Sequence, residues 1–331
     1  MRKSFRKSAS KERPVKSITE FVQGGISDLE DLRDALQTAV QLEFATIPPY
    51  LCAGWSITGD PSHVAKMIHD IAVQEMLHFA LAGNMLNAIG RPPSITNPTF
   101  FPRYPTHTLP GGIHLRDAVD LKPLSYAQLE VFEEIEKPEF PPVGLALTKR
   151  PATIGAFYDT IAAGFDEVKP AIDPQAHFIT ITEMAPPWEP ISNPKNGQIL
   201  TLADAQAAIA RIKQEGEGTP GDPDQPPDDV NAQEFAHYYV FKEISKGKKL
   251  QRQPDGHWHF NGPAIAFPTV HQFAKSGSTR DFSRELSALL SQLQSCWTAG
   301  ARPSIAAMDT LSGLGKALIS QGIQPEFVFV F

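Results

Sequence analysis

Cysteine is nearly absent from this chain: Cys52 and Cys296 are the two in 331 residues. Two thiols do not make the disulfide framework of a small secreted domain. They read most simply as free thiols in a reducing, cytoplasmic compartment. Long hydrophobic runs are missing as well. No stretch approaches the roughly 18 uninterrupted apolar residues of a membrane helix, and residues 1–16 lack the apolar segment of a secretory signal, so no membrane span is expected. The signatures of several enzyme classes are absent too. There is no glycine-rich phosphate loop after a strand, no Gly-x-Ser-x-Gly elbow, and no cysteine and histidine in a recognisable nucleophile context. Positive charge is scarce beyond the start: residues 1–16 carry +6 and the remainder −13, for an overall −7. The basic, serine-bearing residues 1–16 are expected to form a disordered tail. An acidic body argues against nucleic acid as the main partner.

What the chain has is apolar residues and proline. A hydrophobic fraction of 41% over this length can bury a large core, and the 30 prolines divide the chain into helical stretches and connections. Pro92 to Pro110 and Met184 to Pro194 read as long extended connections, and Gly216 to Asp229 as a Pro, Gly and Asp loop of the kind that covers sites. Residues 17–249 are expected to form one bundle, and residues 250–331 an extension packed on it.

Chemistry concentrates in a repeated pair, Glu75-x-x-His78 and Glu234-x-x-His237. A Glu and a His three residues apart share one face of an α-helix, about 5 to 6 Å apart at Cβ, so both can converge on one ion. Val64, Ile68, Ile71, Glu75, His78, Ala82, Met85 and Ile89 fall on one helical stripe, as do Val230, Glu234, His237, Phe241 and Ile244. Each ionisable pair therefore occupies core slots. A buried carboxylate loses several kcal/mol of hydration unless a cation or hydrogen bonds offset it.

Two further helices qualify as carboxylate donors. The stretch Ser27 to Ile57 opens with a Ser27-x-x-Glu30 capping box and carries Leu29, Leu32, Leu36, Val40, Glu43 and Ile47 at helical spacing, which turns Glu43 inward. Pro48 and Pro49 should kink or break this helix just beyond it. The helix beginning near Thr201 ends in Gln214-Glu215-Gly216-Glu217-Gly218, where periodicity does not choose between Glu215 and Glu217. Bundles that bind two irons or manganeses draw on this ligand pattern, a Glu-x-x-His from each of two helices and a Glu from each of the others.

Together, Leu42-Glu43-Phe44-Ala45-Thr46-Ile47-Pro48-Pro49-Tyr50, Gln74-Glu75-Met76-Leu77-His78-Phe79, Gly216-Glu217-Gly218 and His237-Tyr238-Tyr239-Val240-Phe241-Lys242-Glu243-Ile244 resemble the ferritin-like domain of the iminophenyl-pyruvate dimer synthase family. Its better-known members act in violacein and rebeccamycin type bisindole biosynthesis. The resemblance spans roughly residues 28 to 331. The family's third-helix motif, Gln-Gly-Glu-Gly, aligns its Glu with Glu217, although Glu215 here replaces its Gln. The characterised biosynthetic enzymes are far longer, so their substrate does not carry over.

The expected fold is mainly α: a ferritin-like four-helix bundle with additional helices, long Pro-rich loops and a short β or irregular C-terminal extension. Ser125 to Glu136 and Thr153 to Val168 read as helices, the latter as packing rather than ligand-bearing. Tyr158, Tyr238 and Tyr239 read as core tyrosines, with a place near a metal as the alternative. His257 and His259 alternate on a short strand and read as a solvated face. Helices near Arg280 to Ala299 and Ile305 to Gln321 lead to an apolar tail, Phe327 to Phe331, tucked against the body.

The expected metal ligands are Glu43, Glu75, His78, Glu217, Glu234 and His237, holding two iron or manganese ions. Haem ligation by a histidine stays open, with no residue pointing to it. The expected chemistry is oxidative: activation of dioxygen or peroxide on a small organic, amino-acid-derived substrate. The alternatives are a non-catalytic metal or ligand binding protein and a peroxide-disproportionating, catalase-like enzyme. Homo-oligomerisation is left open.

Overall fold

The computed structural model describes residues 15–138, 153–180, 196–218, 223–225 and 234–331. Most of the expected basic tail, the Met184 to Pro194 connection and most of the Gly216 to Asp229 loop lie outside the described residues. Nine helices and eight short strands are found among those described. The protein is mainly α, as its periodicity predicts.

After a short helix α1 (Ile18–Gly24), the chain forms two long helices, α2 (Leu29–Trp55) and α3 (Val64–Ala88), which pack on each other more extensively than any other pair. Asp28, not the expected Ser27 and Glu30 box, caps α2: its carboxylate accepts from the Asp31 N–H at 2.8 Å, while Glu30 pairs with Arg33. Nor do the prolines end the helix, which runs on to Trp55. Pro49 removes the N–H that would reach the Ala45 carbonyl, and the Tyr104 hydroxyl donates to that carbonyl instead, at 2.6 Å. At the start of α3, the Asp60 carboxylate accepts from the N–H groups of Val64 and Ala65.

Between the long helices runs β1 (Ile57–Gly59). Part of the stretch expected to be an extended connection instead forms a hairpin, β2 (Thr106–Leu109) with β3 (Ile113–Val119). Then come α4 (Tyr126–Ile135), α5 (Ile154–Val168) and α6 (Leu202–Gly216), capped by Ser125, Thr153 and Thr201 respectively. Strands β4 (Asp224–Gln225) and β5 (Glu234–Phe235) pair just before α7 (His237–Lys246). In the bundle, α5 packs on α2 and α6, α4 packs on α7, and α3 touches both α6 and α7. Six helices thus converge on one interior.

The C-terminal residues close one side. A hairpin of β6 (Lys248–Arg252) and β7 (Trp258–Ala264) follows α7, and β8 (Thr269–Val270) pairs with β1. His257 and His259 are exposed, the solvated face expected. Helix α8 (Arg280–Ala299) packs on α3 and α9 (Ile305–Ser320) on α2. Gly83 makes the first of these contacts close: a Cβ there would stand 2.2 Å from the Trp297 indole. In the tail, Phe327 is buried against Trp55 and Phe282, whereas Phe331 is exposed.

Candidate metal centre

Glu43 on α2 and Glu75 and His78 on α3 all point into the bundle and are buried, as their stripes require. His237, the first residue of α7, is fully buried beside them. The last turn of α6 turns both candidate carboxylates inward: Glu215 and Glu217 are each buried. The turn closes with N–H groups of Glu217 and Gly218 donating to Lys213 and Gln214 carbonyls, Gly218 taking φ +67°.

The second Glu-x-x-His differs from its expected geometry. Glu234 lies in β5 opposite Gln225, and α7 begins only at His237 because Ala236 is extended (φ −56°, ψ 151°). Glu234 and His237 therefore do not share a helical face, and the placement of the Glu234 side chain lies outside what is described. Strand pairing with β4 overrides the helical period in this short segment. The carboxylate found beside His237 is Glu136, at the C-terminal cap of α4.

Two three-residue groups result, Glu43 with Glu75 and His78, and Glu75 with Glu136 and His237; within each, one donor atom per residue lies within 4.8 Å of the others. Glu75 belongs to both. Both histidines present Nδ1 to the carboxylates. His78 Nδ1 is 3.6 Å from Glu43 and 3.7 Å from Glu75, and His237 Nδ1 is 2.9 Å from Glu75 and 3.6 Å from Glu136. The two rings stand 5.5 Å apart at 24°.

Outside these groups a ring of hydrogen bonds fixes their orientation. His78 Nε2 bonds to Glu215 at 2.7 Å, and Glu215 in turn accepts from Arg211 at 2.6 Å. His237 Nε2 bonds to the Gln74 side-chain oxygen at 2.8 Å. The Tyr158 hydroxyl donates to Glu43, the Tyr50 hydroxyl to Glu136, and the Thr46 hydroxyl to Glu75. Tyr158 is thus more than the core tyrosine its sequence suggests, and α5 reaches the site without supplying a ligand. Glu217 accepts from the Gly155 N–H at 2.6 Å, an approach that needs glycine, because a Cβ there would lie 2.3 Å from the carboxylate.

Electrostatics follow from crowding charge in a dry interior. Burial drives the Glu43 carboxyl up to about 7, with the Glu75 charge adding to the rise and His78 opposing it. Burial, then the Glu75 charge, raises Glu136. Glu75 goes the other way: burial pushes it up, but hydrogen bonds and charge from His237 and His78 outweigh this and hold it below the usual carboxylate range. Burial alone would lower both imidazoles, yet the carboxylates around them win, raising His78 well above its ordinary value and His237 to about 9. Without a cation, the cluster balances its charge by keeping protons.

One atom resists that arrangement. His237 Nδ1, a buried nitrogen 2.9 Å from Glu75, is paired with it by charge but makes no aligned hydrogen bond. A ring nitrogen held toward two carboxylates, with the opposite nitrogen tied to an acceptor, fits a metal ligand whose Nδ1 proton a cation would replace and whose Nε2 proton is fixed from outside. The donor set, carboxylate and imidazole, suits iron or manganese. Glu43, Thr46, Glu75, His78, Glu136 and Glu217 border a cavity of about 30 Å³ whose other walls include Leu42, Ile135, Ile154 and Ile212. That is room for ions or a molecule of two or three atoms.

Sequence reasoning missed Glu136, Tyr50 and Gln74 as participants. Glu136 had a signal, since Leu129, Phe132 and Glu136 repeat the apolar stripe that exposed Glu43 and Glu75.

Buried carboxylates and histidines at the heart of a helical bundle are a donor set that could hold metal ions. The ferritin-like family model matches residues 36–246, and this chain belongs to that family. A crystal structure of a ferritin like protein from Caulobacter vibrioides superposes with a TM-score of 0.65 at 21% sequence identity, covering 92% of this chain and 99% of that one. At that identity the likeness speaks to the fold alone. No curated protein matches the chain. Fold and clusters together are compatible with a dinuclear metalloprotein. Among the described residues, no helix is long and apolar enough to cross a membrane.

Proposed function

We propose that this protein holds two iron or manganese ions and uses them to activate dioxygen or peroxide. The observation that carries the reading is the pair of three-residue groups sharing Glu75, with a buried His237 nitrogen that faces Glu75 and Glu136 and makes no aligned hydrogen bond. Glu43, Glu75 and His78 would hold one ion, Glu75, Glu136 and His237 the other. Glu217, on the cavity wall, is the proposed carboxylate from the third ligand helix. Glu234, three residues before His237 in the chain, is retained as a further ligand to be tested.

When bound, such a pair would supply redox equivalents and Lewis acidity toward dioxygen or peroxide. The chain's own residues do the rest. Glu215 and Gln74 keep the Nε2 protons in place, so that Nδ1 of each histidine is free to bind. Tyr158 and Tyr50 hold the outer carboxylates in one orientation, and Ile135, Ile154 and Ile212 keep bulk water away. Resemblance to the iminophenyl-pyruvate dimer synthase family supports a small organic, amino-acid-derived substrate. The cavity of about 30 Å³ supports a second reading, peroxide disproportionation, which needs no organic molecule inside. Buried thiols at Cys52 and Cys296, not joined in a disulfide, support a reducing, cytoplasmic setting.

Metal analysis of the purified protein, followed by oxygen and peroxide consumption assays, tests both readings. Two ions per chain and oxidant consumption that depends on an added organic reductant support the oxidative enzyme. Peroxide loss with oxygen release and no added organic favours disproportionation. Two ions without turnover leave a metal-binding protein, and a chain that takes up no transition metal refutes the proposal.

A further inference from the structure

The two halves of the centre share a carboxylate, tyrosine and histidine plan and differ in what holds the far nitrogen of the histidine. Each has an outer carboxylate that accepts from a buried tyrosine, Glu43 from Tyr158 and Glu136 from Tyr50. Each has a histidine presenting Nδ1 inward, and both share Glu75. The difference is what holds the far nitrogen. His78 Nε2 meets the carboxylate of Glu215, whose charge is marked by its ion pair with Arg211, whereas His237 Nε2 meets the neutral amide of Gln74. Glu217 accepts from the Gly155 backbone and does not enter this pairing.

A carboxylate acceptor pulls the Nε2 proton more strongly than an amide does, which leaves more electron density on Nδ1 and makes it a better donor to a cation. We infer that the two metal positions are unequal, the Glu43, Glu75 and His78 position binding its ion more tightly and filling first, because Glu215 backs His78 while Gln74 backs His237. The inference rests on the dinuclear reading above. It adds that Glu215, which does not touch the cation, is a positioning residue that sets the order of filling, and that this chain encodes the inequality in two side chains outside the ligand set. The tyrosines cannot be its source, since each half has one.

Titration of metal-free protein with manganese(II), followed by electron paramagnetic resonance, reads both steps. A single bound manganese(II) gives the spectrum of an isolated ion, and a second close by couples to it. The wild type is expected to fill in two resolved steps, with the isolated-ion spectrum dominating at one equivalent. Glu215→Gln should weaken the tighter step by roughly 10- to 100-fold, the usual effect of losing an outer partner, and bring the steps together. Gln74→Glu should strengthen the weaker step, and it keeps the test decisive if Glu215→Gln does not fold. A coupled spectrum from the first addition onward, or a Gln74→Glu protein with unchanged steps, overturns the inequality while leaving two ions bound. A protein that binds no manganese or only one overturns the dinuclear reading itself, and the inference with it.

Discussion

Helix α3 carries two buried polar groups, and they are built on opposite plans. Two turns beyond His78, Asn84 is fully buried and satisfied on every side: its side-chain oxygen accepts from the Ile179 N–H and the Trp297 indole, and its amide donates to the carbonyls of Ile179 and Gly197. Asn87 continues the pattern with the carbonyls of His177 and Trp297. Around Glu75 and His78, by contrast, acidic groups face one another, protons are retained to balance charge, and His237 Nδ1 makes no aligned hydrogen bond. A polar group that the chain completes by itself ties segments together. One that it leaves incomplete, at comparable burial, is built for something the chain does not contain.

The largest expected effect falls on Glu75, the residue common to both groups. Glu75→Ala should remove both ions while the helical circular dichroism signal stays, and a variant retaining two ions would erase the distinction between the two plans. Next in size is Asn84→Leu, similar in bulk but without polar atoms. It strands two N–H groups and two carbonyls, and should cost at least about 2 kcal/mol in urea unfolding. Its metal content should stay normal, and restoring metal should stabilise it by the same increment as the wild type, about 4 kcal/mol per ion at a thousandfold excess over the dissociation constant. If Asn84→Leu loses metal, the two clusters are coupled and not separate.

Acidity provides a third lever with a definite sign. In metal-free protein the Glu43 carboxyl is raised from 4.5 to about 7 and His237 from 6.5 to about 9, so the folded state binds more protons than the unfolded one between those limits. Stability contributed by protonated His237 is fully present below pH 6.5 and is lost as pH rises through about 9; Glu43 adds a fall between pH 4.5 and about 7. Metal affinity should move the other way, because a cation must displace those protons. Urea midpoints of metal-free protein and manganese affinities, measured over the same pH range, should therefore diverge. Parallel trends would mean that the cation does not replace the protons. The smallest expected effect is that of Gly155→Ala, which pushes the Glu217 carboxylate aside. Alanine's better helix propensity, worth about 0.5 to 1 kcal/mol, should offset much of the clash. Stability should change little, and any loss of metal then reports on Glu217.

Much of this was legible where helices are long. Glu43, Glu75 and His78 sit in helices of several turns, so a polar residue on the apolar stripe stands out against many correctly placed neighbours. Glu136 follows the same rule in a helix of fewer turns, within the run Glu133-Glu134-Ile135-Glu136, which reads as a solvated acidic face. Even Glu133 is buried there, bonded to Lys242 and Ser245 from α7. The helix expected around Glu234 failed because local pairing with β4 competes well against a short helical pattern. Tyr50 continues the stripe of Glu43 and Ile47 but reads there as an ordinary core residue, and Gln74 lies beside its stripe. Their roles come from which nitrogen or carboxylate lies opposite, and only packing decides that.

Because Glu75 serves both groups, the centre divides into a near part and a far part along the chain. Glu43, Glu75 and His78 come together as soon as α2 and α3 pair, a contact between neighbouring helices. Glu136 and His237 arrive from α4 and α7, across much longer loops whose closure costs entropy. Partial unfolding that releases α7 would therefore leave one half of the centre assembled and dismantle the other. If two ions are held as proposed, exchange on the His237 side should track local opening of α7, while release from the His78 side should track separation of α2 and α3.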